Sequence, residues 1–211
     1  MVDKCRMQQM TARKENTPCA GEKMTLRKLQ AIDFAIAETV LYLDAYPDNA
    51  AALAYYHKLI AEREKLDAII EAGRVAPTAC NNQPQKIYIV KSEDKLKKLS
   101  EVCRFTFGAP TILVIAYDKE RDWKNRLMPG YGSGETDAAI VCTHMMLAAW
   151  ELGIGSCWVG YFNSADVSRV LELPDNIVVT AMLPMGYPAD NAEPLALHST
   201  FRDIEETVTE L

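Results

Sequence analysis

The run ETDAAIVCTHMMLAAWELGIGSCWVG, residues 135–160, organises the chain around it. Glu135 and Asp137 stand at its start, where a helix dipole favours negative charge, and they predict a helix over 135–152. Its Ala, Cys, Met, Leu and Trp residues spread over most of the circumference. A helix that is apolar on more than one side is buried, at the centre of a domain or in a subunit interface. Gly153 is a natural left-handed stop. The segment after it, 156–159, reads as a short strand.

Outward from this helix the pattern is mixed. KIYIVK (86–91), TILVIAY (111–117) and IVVTAMLPM (177–185) read as strands. The second is a near-continuous β-rich run, which predicts burial on both faces. Short helices are expected over 93–103, capped by Ser92, and over 164–171, with a terminal helix over 203–210. Residues 118–134 read as a long loop. Before residue 66 the chain changes character. Leu29, Ile32, Ile36, Val40 and Leu43 recur at helical spacing and predict a helix over 25–45. Tyr46-Pro47-Asp48-Asn49 stops it, and Asp48 would cap a second helix over 50–72. The expected organisation is a polar tail (1–24), a helical hairpin (25–65) and a main domain (66–211).

The chain has 211 residues, 49% hydrophobic and 25% charged, enough for one sizeable domain and an appendage. Its net charge of −6 disfavours nucleic acid as a partner. The longest near-apolar run, Ala138–Trp150, contains Thr143 and His144 and is short of a membrane span. MVDKCRMQQM lacks the apolar core of a signal peptide, so a cytoplasmic location is expected. Six cysteines form no C-x-x-C pair and three histidines lie far apart, so reduced thiols and no metal centre are expected.

Three segments could carry chemistry. Ala76–Pro84 is stiffened by a proline near each end and holds Thr78, Asn81, Asn82 and Gln83, all neutral hydrogen-bonding groups. They suit a flat, neutral, polar ligand edge such as a flavin's pyrimidine ring; the alternative is a polar loop of Asn turns. In Leu152–Gly160, Gly160 would let a ligand approach the backbone, though ordinary turn punctuation is the simpler reading of the glycines. Neither G-x-G-x-x-G nor a Walker A motif is present. Gly186-Tyr187-Pro188 followed by Arg202 could place a guanidinium on a phosphate, or Arg202 is a solvated surface residue. No histidine lies near Cys80 or Cys157 in sequence, so small apolar packing is the simpler reading of both.

Three blocks, EAGRVAPTACNNQPQKIYIV, GSGETDAAIVCTHMMLAAWELGIGSCWVGYF and MLPMGYPAD…HSTFRDIEETV, resemble the FMN-dependent nitroreductase family in content, order and spacing over residues 66–211. The resemblance implies an α+β flavoprotein fold, a central mostly antiparallel sheet flanked by helices, with FMN at a homodimer interface. It implies that Pro77, Thr78, Ala79 and Asn81 line the flavin, with Gln83 near. Cys157, Trp158, Val159 and Gly160 would pass along the isoalloxazine, backbone N–H groups near Gly160 would approach its reactive edge, and Arg202 would hold the phosphate. No side-chain acid or base is implied.

The R-x-S-x-R motif with which nitroreductases usually open is absent; the corresponding positions fall on Ala50, Ala52 and Ala54. Instead, LRKLQAIDFAIAETVLYLDAYPDNAAALAYYHKLIAEREK (26–65) resembles the small helical spore-coat proteins of the CotJ group. The resemblances imply an NAD(P)H-dependent flavoenzyme acting on nitroaromatic or quinone-like acceptors. The alternatives are a spore-coat structural or binding protein with the flavoprotein fold as scaffold, and a flavin enzyme of other chemistry on that fold.

Overall fold

The computed structural model describes residues 34–211. The expected tail and the first part of the expected 25–45 helix lie outside them. Helix α1 occupies residues 34–45, and after a turn at Pro47-Asp48 helix α2 runs from Ala50 to Arg74. Asn49, not Asp48, caps α2: its side-chain oxygen accepts the Ala52 N–H at 3.0 Å. Both residue types cap well, and the turn places Asn49 at the boundary. The helix is unbroken across 65/66, so the expected division between hairpin and main domain falls inside a single element.

The remaining elements are β1 (Gln85–Val90), α3 (Glu93–Val102), β2 (Thr111–Asp118), α4 (Gly134–Glu151), β3 (Gly155–Ser156), α5 (Ser164–Leu171), β4 (Ile177–Gly186) and α6 (Ile204–Thr207). Ser92 precedes α3 without making a side-chain capping bond. The terminal helix is half its expected length.

All strand pairs are antiparallel, in the order β1-β2-β4-β3. The fold is thus the expected α+β sheet flanked by helices. β2 buries both faces, as its apolar run predicts. Leu113 and Ile115 join the core shared with α2 and α4, where Leu66, Ile69, Val141 and Met145 pack. Ile112, Val114 and Ala116 join the opposite core, with Leu99 of α3 and Val167 and Leu171 of α5. This is the period of two expected of a strand. In β4 the period slips. The partner of Ile115 is Ala181 and that of Ala116 is Val179, which leaves Thr180 as an extra residue. Ala181 and Leu183 therefore face one core while Ile177, Val179 and Met182 face the other.

Only part of the apolar surface of α4 is covered. Ala138, Val141, Cys142, Met145 and Ala149 are buried, but Leu147 is 60% and Trp150 74% exposed. Every residue from Tyr187 to Leu211 is exposed, among them Leu195, Leu197, Phe201, Ile204 and Val208. The arm is fastened at its root, where the Tyr187 hydroxyl donates to Glu62 of α2 and accepts from the Lys65 ammonium at 3.1 Å.

Candidate functional site

The proline-flanked loop is a built structure. Residues Ala79–Asn81 form a 3-10 turn, with Cys80, Asn81 and Gln83 in the left-handed region at φ 51°, 54° and 50°. Such conformations cost energy in non-glycine residues and persist only where surroundings enforce them. Here Gln83 donates its N–H to the Thr78 hydroxyl at 3.1 Å, and Asn82 donates to the Ala79 carbonyl at 3.0 Å. The Ala79 N–H reaches the Asp137 carboxylate at 3.0 Å, and the other oxygen of Asp137 accepts the Ser133 hydroxyl at 2.8 Å. Pinned this way, the loop leaves Pro77, Cys80, Asn81, Asn82 and Gln83 exposed. The Gln83 amide donates to the Asn81 side-chain oxygen at 3.2 Å, so the two amides act as one unit.

The second segment forms the far edge of the sheet. The Cys157 N–H donates to the Pro184 carbonyl at 3.2 Å, and Val159 exchanges both backbone bonds with Met182 at 2.9 Å. Between these anchors Trp158 lies against Gly160: a Cβ on Gly160 would stand 2.6 Å from the indole ring. Among the described residues the N–H groups of Trp158, Gly160 and Tyr161 donate to no protein acceptor. Gly160–Asn163 and Ser100–Arg104 line a cleft of about 530 Å³. Around it the Phe105 ring stands edge-on to Tyr161 at 5.8 Å, and the Arg104 guanidinium lies 4.9 Å over Phe105.

One chain does not bring these segments together. Pro77–Gln83 leads into β1 at one edge of the sheet, and Cys157–Gly160 follows β3 at the other. Three strand spacings, about 14 Å, separate the edges. The two loops therefore lie at opposite edges of the sheet. Arg202 stands on the exposed arm.

Two of the thiols are disfavoured as thiolates by their surroundings. Desolvation raises the Cys157 thiol above its ordinary value, and burial pushes Cys142 up to about 12. His144 is exposed, its Nδ1 2.9 Å from the Ile140 carbonyl. Among the described residues no three carboxylate, cysteine or histidine side chains form a metal-binding group. No helix among them is long and apolar enough to cross a membrane. Sequence reasoning passed over Asp137 and Arg104. Asp137 reads as one more acid at a helix start, and Arg104 carries no motif.

The donor set fits a flavin: unclaimed backbone N–H groups beside exposed indole, and paired neutral amides held by a strained loop. Comparisons with known proteins agree. The model of the nitroreductase family matches residues 55–104 and 103–187, and that of the CotJB protein family matches residues 23–73. A solved nitroreductase family protein of Clostridium difficile is 34% identical, with a TM-score of 0.64, over 69% of this chain and 84% of that one. A Desulfovibrio desulfuricans protein solved in complex with FMN is 27% identical, with a TM-score of 0.59, over 70% of this chain and 84% of that one. The FMN reductase [NAD(P)H] of Bacillus subtilis is 30% identical over 69% of this chain and 65% of that protein.

Proposed function

This chain belongs to the nitroreductase family, and from that premise we propose that it is an FMN-dependent oxidoreductase fed by NAD(P)H, with nitroaromatic or quinone-like compounds as acceptors. When bound, FMN supplies the hydride and electron chemistry; the protein binds, orients and shields it. The observation that carries the reading is the Gly160 N–H, without an acceptor among the described residues, beside Trp158 and lining a cleft. It is a fixed donor for the edge of a flavin ring. Pro77, Thr78, Ala79 and Asn81, with Gln83 near, line the ring from one subunit. Cys157, Trp158, Val159 and Gly160 line it from the other, in a homodimer. Arg202 on the arm serves the phosphate. The placement of the two loops on opposite sheet edges supports this division between subunits.

The visible spectrum of the purified chain tests the reading. We expect flavin absorption bands, or their appearance on adding FMN, and bleaching on adding NAD(P)H. A colourless protein that takes up no FMN overturns it.

The CotJB match over 23–73 favours a second role for the hairpin, as an attachment segment placing the enzyme in the spore coat. A chain lacking residues 1–49 would then keep its flavin and lose coat association, whereas unchanged localisation would remove this role.

A further inference from the structure

We propose that Arg104 is the cation facing the ring of the bound flavin, where it stabilises the reduced, anionic form; this rests on the flavoprotein reading above. Arg104 and Gly160 line one cleft from two sides, the end of α3 and the turn after β3. The guanidinium has no carboxylate partner among the described residues, whereas Arg74 and Arg169 pair with Glu71 and Asp166 on their own helices. Glu101 lines the same cleft without pairing to it.

The cation is also held. Its guanidinium lies 4.9 Å over Phe105, and Phe105 stands edge-on to Tyr161 at 5.8 Å. Tyr161 follows Gly160 directly. These stacked groups fix the charge relative to the unclaimed Gly160 N–H. The aromatic surroundings, Phe105, Tyr161 and Trp158, suit a flat ring rather than a phosphate.

The chemistry calls for a cation there. A hydride from NAD(P)H carries two electrons and one proton. The nicotinamide leaves oxidised, and the neutral flavin ring gains one negative charge, spread over its pyrimidine edge. A nearby guanidinium favours that anion over the neutral oxidised ring by charge attraction.

The test compares full-length wild type with Arg104→Gln and Arg104→Lys, each loaded with FMN or with riboflavin, which has no phosphate. Midpoint potentials are read by spectroelectrochemistry and affinities by flavin fluorescence. In Arg104→Gln we expect the preference for reduced over oxidised flavin to fall about ten-fold, a potential about 30 mV lower for a two-electron couple. The shift should be equal for FMN and riboflavin, and Arg104→Lys should recover part of it. An unchanged potential overturns the proposal. So does a loss of affinity for FMN that spares riboflavin, which would assign Arg104 to the phosphate. A wild type that binds flavin alongside either result leaves the flavoprotein reading standing; one that binds none defeats both.

Discussion

The carboxylate of Asp137, buried at the start of α4, accepts the backbone N–H of Ala79 at 3.0 Å. The core helix thereby fixes the loop that carries Asn81. The same carboxylate takes the Ser133 hydroxyl, so one side chain joins a loop, a helix and the turn before that helix.

Asp137→Ala leaves the Ala79 N–H and the Ser133 hydroxyl unpaired. We expect a loss of about 1–3 kcal/mol in denaturant unfolding and weaker FMN binding. Asp137→Asn can accept from Ala79 with its oxygen and donate to Ser133 with its nitrogen, and should retain most of both. Equal losses in the two variants would show that the charge matters rather than the bonds.

Gly160→Ala puts a methyl 2.6 Å from the Trp158 ring, which must then move. The expected result is a changed tryptophan fluorescence and reduced flavin affinity, with the melting temperature little altered because both residues are exposed. An unmoved indole signal with wild-type affinity would remove Gly160 from the site.

Arg202→Ala should weaken FMN binding and leave riboflavin binding unchanged, since a guanidinium grips phosphate oxygens. Raising the salt should narrow the difference from wild type, because an exposed contact is screened. Asn81→Ala, by contrast, should weaken both ligands by about 1–3 kcal/mol. Fluorescence titrations at two ionic strengths decide between these patterns.

Trp150 and Leu147 stand uncovered on α4. Trp150→Glu sets a charge on that apolar face, and we expect sedimentation to show a monomer that has also lost its flavin. A variant that remains dimeric places the interface elsewhere.

Cys142, raised from 9.0 to about 12 by burial, gives a pH signature. Its folded value lies above the unfolded one, so its contribution is complete below pH 9 and is lost as pH rises from 9 to 12. Cys142→Ala should lose less stability than wild type over that interval. In site-resolved thiol labelling at pH 8, exposed Cys80 and Cys157 should react first and Cys142 only on unfolding.

The three long strands and the main helices were legible to within a residue or two, because burial imposes a period on the side chains, whereas the short strand expected over 156–159 is only Gly155–Ser156. The slip at Thr180 was not, since a bulge is a property of two paired strands and only one is read at a time. The final helix fell short of its expected length because, among the described residues, nothing covers Phe201, Ile204 or Val208. At the candidate site, the amides of Asn81 and Gln83 announced themselves by composition between prolines. Arg104 did not, because only folding brings the end of α3 to the turn holding Gly160. Nor could the sequence say that the two loops occupy opposite edges; that follows from the strand order.

The CotJB and nitroreductase matches overlap along α2, so the join between the two parts is a matter of rotational phase. Each residue of an α-helix turns about 100° and advances about 1.5 Å. One residue inserted between Tyr56 and Leu59 would leave Leu66 and Ile69 seated in the core while swinging α1 through more than a quarter-turn around the helix axis. About seven inserted residues, two turns, would bring it back nearly to its original bearing. A segment joined to an enzyme through a continuous helix is therefore matched to it in azimuth as well as in length. The direction in which α1 faces is set by the number of residues between it and Leu66.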